Sequence, residues 1–376
     1  MAEKVYVVYH DMISGYGHGV DELVNGLYRG QSSFRPIERF RISNPDAAPV
    51  ITGGCFPESL ALEREPEHIA ENSMMLLIDR MKNFLSLPAE TPLFLALTQG
   101  ETALLRNPEK LWTSEILRRK LAARSGFADA RIYSAACASG NLALARAAEK
   151  ISRGICRQII VGGCDIVSEF VYSGFLSVHA ITPDECRPYD AGHNGLLLGD
   201  AAGIVVLASA SQVRESGYKV LAEIAGYGIT TDAFHVAAPS PDGKMMMQAV
   251  KDAMNGDSMD NIGGIIGHGT GTALNDDMEI AALSGLFPEG VPLASIKGGT
   301  GHVLAASGLV QLSCAVDALA RGGLFPQTGL LVPQAGAEKF VSSSAQLLRN
   351  GGREMLSLNA GFGGINAVIR LRKGTE

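Results

Sequence analysis

Seven short runs of β-branched and aliphatic residues recur along the chain with longer helix-like stretches between them: Val5–Tyr9, Leu93–Thr98, Arg131–Ala135, Gln158–Gly162, Ala202–Leu207, Gly263–Gly267 and Met355–Leu358. Runs of this length suit buried strands, and strands that alternate with helices pair into a sheet that the helices cover, so the pattern points to the α/β class. The clearest helix is Asn141–Arg153, where Leu142, Leu144, Ala145, Ala148 and Ile151 lie largely on one face and Gly154 follows as a stop. At 376 residues, 46% apolar and 19% charged, the chain is long enough for one large domain or two fused ones. A polar stretch containing Gly and Pro, Ala225 to Lys244, reads as the separation between two halves, 1–209 and 210–376.

Several function classes are disfavoured at this level. A net charge of −7 with no long Lys/Arg block argues against a nucleic-acid surface, which needs cations to displace counterions from phosphates. The six cysteines (55, 137, 156, 164, 186, 314) form no C-x-x-C pair, so neither a metal site nor a disulfide framework is expected, and reduced cytoplasmic thiols are the default. The run Val5–Tyr9 is broken at once by His10 and Asp11, which suits neither a signal peptide nor a membrane span, and no other apolar run reaches spanning length.

Four segments carry chemistry. In Arg131–Gly140 (RIYSAACASG) a strand runs through small residues into Cys137 and then a helix, an elbow that presents the sulfur at a helix amino terminus, where N–H groups and the dipole favour a thiolate. A buried core cysteine is the competing reading of this segment alone. In Gly267–Thr272 (GHGTGT) His268 ends an apolar strand, and Thr270 and Thr272 alternate with glycine in a way that suits either a polar, extended ligand or, taken alone, a plain turn. Ser295–His302 (SIKGGTGH) holds Lys297 and His302 ahead of a helix running from Val303 to about Ala320, without the order of a phosphate loop. Leu358–Asn366 (LNAGFGGIN) holds Phe362 between glycines, which by itself fits a β-bulge or hairpin. A cysteine and two histidines on separate loops are the inventory for thiolate attack, a transient thioester and oxyanion stabilisation by imidazole donors.

Taken together and in this order, the four segments resemble the β-ketoacyl-acyl carrier protein synthases of the Cys-His-His kind, condensing enzymes of the thiolase-like superfamily. Gly15–Gly30 and the stretch from Arg187-Pro-Tyr-Asp190 to Gly203 are similar to further parts of that family. The resemblance implies a duplicated αβαβα five-layer sandwich and a decarboxylative Claisen condensation in fatty-acid or polyketide/polyene elongation. It makes Cys137 the acyl nucleophile and gives His268 and His302 the carbonyl of a malonyl thioester. It also makes Lys297 the organiser of the histidine pair, the Cys137 and Phe362 N–H groups an oxyanion hole, and Phe362 the gate of the acyl pocket. Thr270 and Thr272 would grip the phosphopantetheine arm of an acyl carrier protein, so no cofactor is held permanently. The family norm is a homodimer; a heterodimer with a second ketosynthase-like subunit is the variant. His302 separates the chain from the related Cys-His-Asn enzymes that initiate synthesis. The alternatives are a non-catalytic chain-length-factor-like partner subunit and a thiolase-like coenzyme A acyltransferase.

The chain departs from the family pattern at named positions. Tyr9-His-Asp-Met replaces the usual opening, and Asn194 and Asp200 stand for Asp and Glu. Gln311 stands where a glutamate usually contacts the lysine that matches Lys297, and Ala360 takes a place often filled by phenylalanine, implying a roomier pocket floor. Ser59–Arg80, helix-like with a break at Pro66, carries Glu63, Glu65, Glu67 and Glu71 near where carrier-docking cations are common. Arg118, Arg119 and Lys120 are either a substitute patch or a solvated helix face. His10, His18, His68, His179, His193 and His235 read as surface or satisfied core residues, with His193 alone able to touch the site indirectly.

Overall fold

In the computed structural model, which describes residues 3–42, 50–60, 66–98 and 113–374, the alternation resolves into two copies of one pattern. The first runs β1 (Val5–Ser14), α1 (Pro66–Phe84), β2 (Leu93–Ala96), α2 (Thr113–Ser125), β3 (Ala130–Tyr133), α3 (Ser139–Ser152), β4 (Gln158–Asp165) and β5 (Ala201–Ser209). The second runs β6 (Ala222–Thr231), α4 (Lys244–Met254), β7 (Ile262–Ile266), α5 (Ala273–Leu286), β8 (Leu293–Ala294), α6 (Ser307–Arg321), β9 (Glu354–Gly361) and β10 (Ile365–Lys373).

The strand order is β8-β7-β9-β10-β6-β1-β5-β4-β2-β3. Outward from the β1–β6 contact, each half follows the same sequence of first, fifth, fourth, second and third strand. The senses match as well: antiparallel among the first three positions, parallel among the rest. The halves join where β1 pairs antiparallel with β6, from Val5 with Ile224 to Val7 with Ala222. Helices α3 and α6 touch strands of both halves and form the middle layer, α1 and α2 cover the first half, and α4 with α5 beside it covers the second. This is the expected αβαβα sandwich, with a central core and one outer core on each side.

A helix in the middle layer must be apolar around its circumference. The segment Leu304–Arg321 accordingly has the length and composition of a membrane span, yet 83% of it is buried inside the protein. The two middle helices meet through their first turns: a Cβ on Gly140 would lie 2.9 Å from Gly308 Cα, and one on Gly308 would lie 2.8 Å from Gly140 C. Only hydrogen at both positions permits this approach.

Two expectations change. The stretch from Ala225 is not a separator: β6 occupies its first third, in the middle of the sheet between β1 and β10. Gly226 and Gly228 dilute its strand pattern in the sequence. β10 was also missed, because Arg370, which interrupts its apolar run, is buried against Glu354 at 2.7 Å. Pro66 is the first residue of α1, as its fixed φ favours, and residues 61–65 of the helix-like stretch lie outside the described residues. Glu63 and Glu65, and the side chain of Glu67, lie outside the described residues.

The glycine contact generates a stability prediction. Gly308→Val drives a side chain into the Gly140–Asn141 backbone, and overpacking of this kind costs about 1–3 kcal/mol; the urea midpoint is expected to fall accordingly, and an unchanged midpoint would show that the helices are not this close.

Candidate active site

Cys137 lies between β3 and α3. Ala136 has a φ of 48°, a left-handed conformation that is uncommon for a residue with a side chain. Ser139 holds the turn: its Oγ accepts the Ala135 N–H at 2.8 Å and donates to the Ala136 carbonyl at 2.6 Å. The elbow expected from the sequence is therefore present, but the expected preference for a thiolate is not. Burial pushes the thiol up to about 12, against the charge of Lys297 and the N–H groups of Cys137 and Phe362, which favour the anion. Withdrawing sulfur from water outweighs the local donors and favours the protonated thiol.

The Gly267–Thr272 turn is pinned from α5. Glu279 accepts the N–H groups of His268 at 2.7 Å and Gly269 at 2.8 Å, while Asp276 accepts those of Thr270 at 2.8 Å and Gly271 at 3.1 Å. Tyr189, from the Arg187–Asp190 segment, donates its N–H to Asp276 at 2.8 Å and its hydroxyl to Glu279 at 2.9 Å. Burial raises both carboxyls, opposed in each case by these donors. Sequence reasoning missed Tyr189, Asp276 and Glu279; the signal for the last two was their spacing of three residues on the helix that follows the turn.

Behind His268, the Lys297 ammonium bonds the His268 carbonyl and lies 3.3 Å from Nδ1. Burial lowers Lys297 to about 8, with Glu279 holding it up. At neutral pH it is a donor only, so His268 Nδ1 accepts and the ring proton resides on Nε2. His302 reaches the same tautomer by another route, its Nδ1 accepting the Leu304 N–H at 3.2 Å, which Leu304 supplies from a φ of 47°. Burial, then the charge of Lys297, pushes both imidazoles well below their usual range. The rings meet edge to face, with centroids 5.5 Å apart. Two neutral imidazoles thus each retain one free donor, Nε2–H.

Cys137, His268, His302, Thr270, Thr272 and Phe362 line one cavity of about 560 Å³, and Lys297 stands behind it. The threonine hydroxyls are 2.8 Å apart. Phe362, 40% exposed, stacks on Phe175 with centroids 5.4 Å apart, and the Phe175 ring meets His302 edge-on at 6.1 Å. Nothing in the sequence marked Phe175, an ordinary aromatic on the helix Glu169–Ser177. The reading of two remaining histidines changes, since His179 and His235 line the same cavity; His193, already set beside the site by the sequence, lines it with them. His10 is half-buried; burial pushes it down to about 4, and among the described residues its Nδ1 has no partner.

The departures from the family pattern have distinct consequences. Gln311 does not hydrogen-bond Lys297: its Nε2 donates to the carbonyls of Gly267 at 2.6 Å and Leu358 at 3.2 Å. Asp200 is a buried tie, taking Arg39 at 2.8 and 2.5 Å and the N–H groups of Phe56 and Val167. Asn194 accepts the Thr182 hydroxyl at 2.8 Å on the cavity wall, and Ala360 lines the cavity beside Phe362. In the possible basic patch, Arg118 and Arg119 share Glu115, while Lys120 and Arg124 share Glu71, so two carboxylates offset four cations.

Residues 128–213 match the N-terminal domain of the β-ketoacyl synthases and residues 221–330 match their C-terminal domain. The chain belongs to the β-ketoacyl synthase family. Nodulation protein E of Rhizobium meliloti is 31% identical over 245 residues, and 3-oxoacyl-[acyl-carrier-protein] synthase 2 of Staphylococcus aureus is 30% identical over 250; each alignment covers 63% of this chain. The chain spans 60% of the length of these curated relatives. Among solved structures, the ishigamide ketosynthase/chain length factor superposes with a TM-score of 0.86 at 24% identity over 100% of both chains. A β-ketoacyl synthase from Burkholderia phymatum STM815 gives 0.84 at 21% over 99% of this chain and 100% of that one. The fold of this family member is thus the thiolase-like sandwich.

The raised thiol sets a pH dependence. A pKa above the ordinary cysteine value leaves little thiolate at neutrality, so alkylation of Cys137 by iodoacetamide is expected to climb about tenfold per pH unit from 7 to 9 without a plateau. A plateau below pH 8, followed by intact mass, would show that the helix terminus prevails over burial.

Proposed function

We propose that the chain is an elongating β-ketoacyl-acyl carrier protein synthase, an acyltransferase that joins an acyl group on Cys137 to a malonyl unit with loss of carbon dioxide. The observation that carries this reading is the pair of fixed tautomers: Lys297 and the Leu304 N–H occupy the Nδ1 atoms, which leaves His268 and His302 as two neutral Nε2–H donors beside one cysteine. Neutral donors suit an enolate oxygen, which they stabilise without protonating carbon.

In the first half-reaction Cys137 Sγ attacks the carbonyl of an acyl thioester. The oxyanion is held by the Cys137 and Phe362 N–H groups, and the departing pantetheine sulfur takes the cysteine proton. In the second, the carboxylate–carbon bond of the malonyl thioester breaks, its electron pair moves into the enolate held by His268 and His302, and carbon dioxide leaves. The enolate carbon attacks the Cys137 thioester, the new carbon–carbon bond forms, and the released cysteine sulfur regains a proton from solvent. Thr270 and Thr272 bind the pantetheine amides, Phe362 and Phe175 open and close the acyl end, and Lys297 keeps His268 in its tautomer. The phosphopantetheine arm belongs to the partner, an acyl carrier protein, so the chain itself holds no cofactor in this reading. A dimer completes the assembly, as a homodimer or with a second ketosynthase-like subunit; the two halves, 1–209 and 210–376, each supply part of the site. Six unpaired cysteines suit a reducing, cytoplasmic setting.

The intact Cys137 and both histidine donors favour catalysis over the chain-length-factor reading, and two Nε2–H donors favour decarboxylation over a coenzyme A acyltransferase. Incubation with a panel of acyl-carrier thioesters is expected to add one acyl mass to the wild type and none to Cys137→Ala; malonyl-carrier protein then discharges the adduct as a product two carbons longer. No adduct across the panel would transfer the chain to the partner-subunit reading. Ala360 leaves room at the pocket floor for a bulky, long or unsaturated acyl chain, as in a fatty-acid or polyketide/polyene system. Ala360→Phe is expected to shift the preferred acyl chain to shorter lengths at least tenfold in kcat/KM, and an unchanged profile would remove Ala360 from specificity.

A further inference from the structure

The strands that deliver His268 and Phe362 to the site are neighbours that part company just before it. β7 and β9 pair in parallel as far as Ile266 with Ser357. Beyond that pair, β7 turns into Gly267–Thr272 under Glu279 and Asp276, whereas β9 continues along β10 as far as Gly361 with Ile365. One side chain spans the gap. Gln311, from α6 and fully buried, donates its two amide hydrogens to the Gly267 carbonyl at 2.6 Å and the Leu358 carbonyl at 3.2 Å. Its own oxygen accepts from the Asn359 side-chain amide. The orientation is determined, since a flipped amide would set oxygen against two carbonyl oxygens. Only a two-headed donor bridges two acceptors in this way.

We infer that Gln311 is a positioning residue: by tying Gly267 to Leu358 it fixes the separation between the His268 imidazole and the Phe362 N–H. The inference rests on the condensing reading, in which the enolate held at His268 must reach the thioester carbonyl held at Phe362. Acyl loading uses the second group without the first. Condensation needs both at a set distance, and misplacement of about 1 Å is enough to lose a large part of such a rate.

The test compares wild type with Gln311→Met, which keeps the volume and removes both donors, and with Asn359→Ala, which keeps both Gln311 donors but removes the group that holds its amide oxygen and so loosens the bridge. Acyl loading is followed by intact mass, condensation by product formation from malonyl-carrier protein, and local opening by amide hydrogen exchange of segments 267–272 and 361–366. In Gln311→Met, condensation is expected to fall at least tenfold and by more than loading, and exchange to rise at least tenfold in both segments while α6 keeps its protection. Asn359→Ala should show the same pattern with smaller changes. Equal losses in loading and condensation, or faster exchange in only one segment or neither, would overturn the inference, as would Gln311→Met behaving as wild type. Should the wild type neither load nor condense while both segments open in Gln311→Met, the condensing reading fails and the strand tie stands.

Discussion

The close approach of α3 and α6 through Gly140 and Gly308 is the contact on which the site depends. Each helix begins a few residues after a chemical group, Cys137 in the first half and His302 in the second, at corresponding positions of the repeated pattern. Bringing the helix starts together brings those groups together. The same two helices form the middle layer, so the geometry of the site and the packing of the central core are one constraint. Asn141 reinforces it from α3, donating to the carbonyls of Ser357 on β9 and Ala367 on β10 at 3.1 and 3.0 Å.

Around that contact the protein keeps its reactive groups neutral and its supporting groups charged or strongly hydrogen-bonded. The Cys137 thiol and both imidazoles are uncharged because burial penalises their ions. Lys297, Glu279 and Asp276 lie one layer further back, where they hold backbone N–H and C=O groups rather than substrate. Buried ionisable groups are tolerated when each lone pair or proton has a partner, and here their partners are Tyr189 and the turn that carries His268. The charge is used to fix a tautomer and a turn.

Much of this was legible from sequence because the chemistry-bearing segments are local: a strand, a few small residues, a functional side chain and a helix are contiguous at Cys137, at His268 and at Lys297–His302. β6 was not legible, because Gly226 and Gly228 interrupt its apolar alternation, nor was β10, where Arg370 is neutralised by Glu354 from the neighbouring strand. Phe175 and Tyr189 are ordinary aromatics until the fold sets one against Phe362 and the other between Asp276 and Glu279. Gln311 looked like a lost carboxylate facing a lysine, and in the structure it joins two strands.

The sequence by itself determined the α/β class and the family, and it named Cys137, His268 and His302 as candidate reactive side chains, since each reading depends on residues adjacent in the chain. The tertiary structure decided the rest: which nitrogen of each histidine its neighbours occupy, that burial favours the protonated thiol, and that Gly267 is tied to Leu358. These properties depend on burial and on partners such as Lys297 for His268 and Gln311 for Gly267, 29 and 44 residues away along the chain. Desolvation and hydrogen bonding act through space, and no local pattern records them.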